Sequence, residues 1–371
     1  MPRTARSTNW GLIGLLAVVA VTIGLLVAFA PNREAKAAGG LPLTAALPET
    51  VPPGTVITVG DPVTRWVVEH EGWDKTLPFT IKWAQITGGP DVTEAFHAKA
   101  LDVGLGANIP PIHAIWVGLP VKVIAFRLRR DPIAHPSFVL GLAPKSGIRT
   151  IADLRGKRIA FSPSQVQSQI VLETLKAAGL TARDVQLVEL PSTIGGDVYT
   201  SALAGNVVDM APIGGGIVAE RYLRKFGNDG ARVINHPPFR DDAVVAYVPE
   251  DVLADPAKAA ALRQFAILWG RAQAWVLAHP DELARGYYVG EQGLSLEDAR
   301  LVVAAAGQPD VPTHWDDAVR YQQAAIDLMA PQLGHSTFDA ATLFDRRFEA
   351  LAAKGFAQEL AQRGVEKTVS K

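Results

Sequence analysis

Side chains able to do chemistry are scattered through this chain and never gathered into a familiar device. Its eight histidines stand at positions 70, 97, 113, 135, 236, 279, 314 and 335. None pairs with another at HExxH or one-turn spacing, so no metal motif is spelled out locally. There is no cysteine, which removes a thiolate nucleophile, a thiolate metal site, a disulfide scaffold and lipidation at a lipobox cysteine. Gly104-Leu105-Gly106-Ala107-Asn108-Ile109 begins like a dinucleotide fingerprint but has Ile109 where the third glycine belongs. No Walker lysine follows Gly214-Gly215-Gly216, and no GxSxG elbow occurs. The carboxylate pairs Asp241-Asp242 and Asp316-Asp317 read as solvated loop or helix-cap charges. A chain without catalytic machinery points to binding rather than reaction, with no metal and no cofactor expected.

The elements that must position a binding site alternate between short apolar runs and helix-period segments, the pattern of α/β architecture. Strands are expected at Val56–Val59, Phe79–Ile86, Val121–Phe126, Phe138–Leu142, Arg158–Phe161, Val185–Leu190, Val207–Ile213 and Ala243–Val248. Helices are expected around Val63–His70 and Gln165–Ala178, with another ending at Ser201–Gly205. Thr150–Asp153 and Thr181–Asp184 have capping-box spacing. Beyond Val248 the texture turns helical, with Ala257–Ala278, Leu296–Ala305, Trp315–Met329 and Ala340–Ala353.

The 371 residues hold 36 Lys+Arg against 37 Asp+Glu, a near balance that argues against nucleic acid as a partner. The 48% apolar and 20% charged content reads as globular. Arg3 and Arg6 precede Gly11–Ala30, a run whose only polar member is Thr22. Such a run is long enough to cross a bilayer, and Ala35-Lys36-Ala37 offers a signal-peptidase site. Residues 1–37 are therefore either a cleaved signal peptide or a retained membrane anchor, and in both cases the domain that follows is exported. Pro42, Pro48, Pro52 and Pro53 mark 38–54 as a linker, so the folded region is expected to begin near Thr55.

Several segments, in order, resemble the substrate-binding proteins of ABC importers, of the aliphatic sulfonate, nitrate and taurine class. They are Leu101-Asp102-Val103-Gly104 with Gly106, Pro110-Pro111 and Gly118-Leu119-Pro120-Val121, then Ile151-Ala152-Asp153-Leu154-Arg155-Gly156-Lys157-Arg158-Ile159-Ala160. Leu175 to Leu180, Asp184-Val185, Ala202-Leu203 with Gly205 to Asp209, Asp255-Pro256, Trp275 and Pro280 to Ala284 continue the series. The resemblance implies a two-lobed type 2 periplasmic-binding fold, each lobe a central sheet flanked by helices. Lobe 1 would comprise 55–141 and 246–371 and lobe 2 142–245, with crossings near Leu140–Ala143 and Asp242–Ala246. It also implies a monomeric receptor in the periplasm or on the outer face of the plasma membrane. That receptor would deliver a small anionic organic ligand to ABC permease and ATPase subunits.

In such folds ligands sit between the lobes, at strand ends and helix starts. The candidate contacts are Asp61, Gly88, Gly89, Gly106, Ala107, Asn108, Ser162, Ser164, Gln165, Ile213, Gly214 and Phe239. Each also has a plain structural reading: Ser162, Ser164 and Asn108 as helix caps, Gly88 and Gly89 as turn glycines. Arg65 reads as a surface charge or an anion contact, and His113 and Trp116 as core or wall. This chain departs from the family by lacking a glycine before Ser162, an aromatic after Asp209 and a turn glycine before Leu101. Two other readings compete with transport: a membrane-tethered sensor using the same cleft, and an enzyme on the same scaffold. The family's sulfinate-cleaving relatives use a cysteine, which this chain lacks.

Overall fold

A computed structural model describes residues 40–133, 136–191 and 197–364. The expected leader and His135 lie outside the described residues. Among the described residues, no helix is long and apolar enough to cross a membrane.

The chain opens with strand β1 (Val56–Gly60), helix α1 (Pro62–His70), β2 (Thr80–Trp83), α2 (Gly89–His97), β3 (Val103–Gly106), α3 (Ile109–Trp116) and β4 (Val121–Arg129). It then passes to β5 (Phe138–Leu142), β6 (Arg158–Phe161), α4 (Val166–Ala177), β7 (Gln186–Glu189), α5 (Asp197–Ala204), β8 (Met210–Gly214), α6 (Ile217–Phe226) and β9 (Arg232–Ile234). It returns through β10 (Val244–Pro249) to α7 (Glu250–Leu253), α8 (Pro256–Ala278), α9 (Pro280–Leu283), a π-helical turn at Ala284–Glu291 and α10 (Leu296–Ala306). Strand β11 (Pro309–Asp310), α11 (Asp316–Leu333) and α12 (Leu351–Gln362) complete it.

Two sheets result. The first has the order β11-β4-β10-β3-β1-β2 and the second β7-β6-β8-β5-β9. In the first, β1 runs parallel to β2 and β3, and β10 lies antiparallel between β3 and β4. In the second, β6 runs parallel to β7 and β8, while β5 is antiparallel to β8 and β9. The central strands of the first sheet are the most deeply buried, whereas its edge strand β2 is partly exposed. Val123, Ile124, Ala125 and Phe126 of β4 are accordingly all buried.

The chain crosses between the sheets at residues 130–137 and 235–243, so the first crossing expected at Leu140–Ala143 is corrected. Leu140 to Leu142 belong to β5, paired in register with β8 from Phe138↔Gly214 to Leu142↔Met210. The breakers Asp131-Pro132 and Pro136 make the true crossing, since neither proline can donate to a ladder. The second crossing, expected at Asp242–Ala246, ends where β10 starts at Val244.

Asp241 and Asp242 are also not solvated charges: both side chains are wholly buried at the crossings. Asp241 accepts from the backbone N–H of Ser137 (3.0 Å) and Phe138 (2.8 Å) and from His236 Nε2 at 3.1 Å. Asp242 accepts from the N–H of Arg129 (2.5 Å) and from both Nε (3.1 Å) and a terminal nitrogen (2.8 Å) of Arg240. Each carboxylate thus fastens one passing strand to the other, with its charge met by donors.

Residues 41–54 lie against the first lobe instead of forming a free linker. Leu41 N–H donates to Ala254 O (2.8 Å), Arg347 donates to the carbonyls of Pro42 and Ala45, and Val51 is buried. Apolar Leu43 and Leu47 give this proline-rich stretch something to bury. The helix expected at Ala340–Ala353 is instead two 3-10 turns, Ala340–Leu343 and Arg346–Phe348, followed by α12. Asp339 and Asp345 cap those turns and break the run into pieces. Where α8 crosses α12, Gly270 and Gly355 face opposing backbone. A Cβ at either would stand 1.9 Å from a carbonyl oxygen, so only glycine fits.

Candidate functional site

Four helices begin at the gap between the two sheets. Each follows a strand end with a first turn whose N–H groups lack intrahelical partners, although Pro90 in α2 and Pro110 and Pro111 in α3 have no N–H to offer. The Gly88-Gly89 turn opens α2, Gly106-Ala107-Asn108 leads into α3, Gln165 precedes α4, and Gly214-Gly215-Gly216 leads into α6. Gly88 has φ +95° and Gly216 φ +63°, turns that a side chain disfavours. A Cβ on Gly89 would come 2.7 Å from Ser164 O of the other lobe, so this glycine lets the lobes touch.

The gap encloses a cavity of about 300 Å³. Lobe 1 contributes Gly88, Gly89, Gly106, Ala107 and Pro110. Lobe 2 contributes Phe138, Gln165, Val166, Gln167, Tyr199, Pro212, Ile213, Gly214 and Val218. Among the described residues, no charged side chain lines it, nor any serine or histidine. Burial pushes the Tyr199 hydroxyl well above the usual phenol range, so it stays a neutral donor. An anion entering here meets the positive ends of helix dipoles and free N–H groups, each charge–dipole contact contributing about 0.3–1 kcal/mol.

Seven of the twelve expected residues meet at this cavity: Gly88, Gly89, Gly106, Ala107, Gln165, Ile213 and Gly214. Five do not line it. Asp61 caps α1, accepting from Thr64 N–H (3.0 Å) and from the Trp269 indole (3.2 Å), and faces a different cavity. Asn108 does not cap its helix. Its side-chain amide donates to Gln169 Oε1 at 2.9 Å, and its carbonyl accepts from Gln322 Nε2 at 2.5 Å. Asn108 therefore ties the lobes together behind the cavity.

Ser162 and Ser164 are buried, but neither side chain caps α4, whose N-cap is Gln165. Phe239 packs on His236, ring centroids 4.5 Å apart, at the second crossing. Arg65 is bound to Glu69 (2.7 Å) and Glu291, and Trp116 stacks on His335 at 4.6 Å, both away from the cavity.

Sequence reasoning missed Pro110, Phe138, Val166, Gln167, Tyr199, Pro212 and Val218. Tyr199 and Phe138 supply the aromatic wall expected to be absent near Asp209. Phe138 carried a usable signal, as the first residue of an apolar run that follows a proline. Tyr199 carried none, since its position depends on how α5 packs on β8.

A family model described as NMT1/THI5 like matches residues 79–283, more than half of the chain. A "putative aliphatic sulfonates-binding protein" of Escherichia coli (strain K12) is 30% identical over 118 residues. That match takes in 32% of this chain and 36% of the relative, so the chain spans about a third of the curated relative it matches. Among solved structures, the alkanesulfonate-binding protein SsuA of Xanthomonas axonopodis pv. citri, bound to MOPS, superposes with a TM-score of 0.63 at 21% identity. It covers 80% of this chain and 99% of that one. The periplasmic aliphatic sulphonate binding protein SsuA of Escherichia coli gives 0.63 at 19% identity, over 79% of this chain and 92% of its own. The fold is that of the two-lobed periplasmic binding proteins.

Proposed function

The chain belongs to the NMT1/THI5-like family, and we propose that it is an extracytoplasmic solute receptor. In this reading it captures a small organic anion of the sulfonate class between its lobes. It then hands that anion to the permease and ATPase of an ABC importer. The observation that carries the reading is the cavity at the gap, where four helix starts converge and no side chain bears a charge. Such a wall binds an anion through backbone N–H groups and dipoles, with Tyr199, Gln165 and Gln167 as polar contacts and Phe138, Ile213 and Val218 for an organic tail. Gly88, Gly89, Gly106, Ala107 and Gly214 give a ligand close approach to the backbone.

Asp61, Asn108, Ser162, Ser164 and Phe239 take supporting rather than contacting roles. Binding favours the closed arrangement because only there do both halves of the wall touch ligand. The expected leader places the receptor in the periplasm or on the outer face of the plasma membrane.

Thermal unfolding of the full chain against pentanesulfonate, taurine, nitrate and benzoate tests this. A ligand at about 100 times its Kd adds about 2.7 kcal/mol and raises the midpoint by several degrees. A shift with the sulfonates is the expected result. No shift with any anion, together with a shift from neutral solutes, would overturn it.

A further inference from the structure

Lobe 1 holds a second cavity, about 520 Å³, between its sheet and the helices α8 to α10. It shares no lining residue with the cavity at the gap. Much of its wall is apolar, including Val276, Leu277, Leu283 and Val303. Besides Asp61, Asp281, Arg300 and Gln308, three polar residues line it: Arg127 on β4, Gln273 on α8 and Tyr288.

None of the three has a hydrogen-bonding or ion-pair partner among the described residues. The Arg127 Nε is closed to solvent and unbonded, and Gln273 is only 8% exposed. Two carboxylates act on Arg127 through space without an ion pair: Asp61 bonds Thr64 and Trp269, and Asp242 bonds Arg129 N–H and Arg240. Arg300, at the same cavity, is already bound to Asp281 at 3.3 Å. Burial lowers the pKa of Arg127 to about 10, which still leaves it charged at neutral pH.

A sequestered guanidinium with unbonded donors is costly even with Asp61 and Asp242 acting on it through space, and an incoming carboxylate would take its N–H groups as charge-assisted, bidentate bonds. We propose that this cavity is a second binding site, for a medium-chain organic carboxylate. The head would sit on Arg127, Gln273 and Tyr288, and the aliphatic tail along Val276, Leu277, Leu283 and Val303. The inference is independent of what occupies the gap between the lobes.

Calorimetric titration of the full chain with sodium octanoate, sodium hexanoate and 1-octanol tests it, on wild type, R127M, R127K and G214W. G214W crowds the gap without touching lobe 1's cavity. Octanoate is expected to bind wild type and G214W equally. Its affinity should fall at least about tenfold in R127M and recover partly in R127K. Hexanoate, two methylenes shorter, should bind more weakly by about fourfold per methylene, and octanol at least about tenfold more weakly than octanoate. Should R127M fail to fold, the G214W and octanol comparisons still decide. Octanoate that does not bind, that binds no better than octanol, that is lost in G214W or that is indifferent to R127M would each overturn the proposal.

Discussion

The gap between the lobes and the cavity inside lobe 1 would meet a negative charge by opposite means. The first offers helix-start dipoles and backbone N–H groups, with no ionised side chain among the described residues. The second offers one guanidinium to which no described residue makes a side-chain hydrogen bond or ion pair. The first is also complete only when two sheets come together, whereas the second is built within one. The difference teaches that a binding wall made of dipoles is hard to delete by side-chain change and easy to spoil by geometry. A wall made around one arginine has the reverse weakness.

The comparison is tested most severely at the crossings. Asp241→Ala would leave the N–H groups of Ser137 and Phe138 and the ring of His236 without their buried acceptor. Each buried donor left unsatisfied costs about 1–3 kcal/mol. Calorimetry should show the midpoint lowered by several degrees and sulfonate binding at the gap weakened. Octanoate binding to lobe 1 should persist below the new midpoint. An unchanged midpoint would mean that the crossings do not hold the gap together.

A smaller and more local effect is expected from Gly89→Val. Its side chain would meet Ser164 O across the gap, where a Cβ alone already stands at 2.7 Å. Sulfonate affinity should fall at least about tenfold, about 1.4 kcal/mol, while octanoate titrates as in wild type. Equal losses at both sites would erase the distinction between them.

The smallest expected effect is that of pH. Among the described residues Tyr199 is the one titratable side chain lining the gap, and burial raises its pKa, so none of these lining groups changes charge near neutrality. Affinity for pentanesulfonate should stay within about twofold from about pH 5 to 9. Because that pKa is raised, the Tyr199 contribution to stability is present below the phenol's ordinary value of about 10. It is lost only as pH climbs through the higher folded value. A step in affinity near pH 6–7 would show a histidine acting on the gap.

Much of the scaffold was legible because local signals and packing agree. Phe138–Leu142 and Arg158–Phe161 are strands with the expected bounds, and the boxes at Thr150 and Thr181 open 3-10 turns as their spacing requires. The glycines at 88, 89, 106 and 214 were readable as points of close approach because backbone needs show at the residue itself. Side-chain direction was not. Asp61 and Asn108 sit beside the expected loops but turn toward Trp269 and Gln169, partners 208 and 61 positions away. The burial of Asp241 and Asp242 was illegible for the same reason. An acidic pair looks solvated until two crossing strands deliver their N–H groups to it.

The insertion of one lobe between β4 and β10 has a consequence for how the chain is made. The second sheet is complete in sequence by Ile234, from strands that all lie between Phe138 and that point. The first cannot finish its central pairing until Val244–Pro249 emerges. It must then wait for Gly355 to seat against α8 and for Arg347 to fasten residues 42–45. Contacts of such long separation form slowly, since loop closure precedes any gain from pairing. In vectorial synthesis the inner lobe would therefore be the nucleus. The outer lobe, though it begins first, would be the last to fold, its early strands held open to chaperones until the final helix arrives.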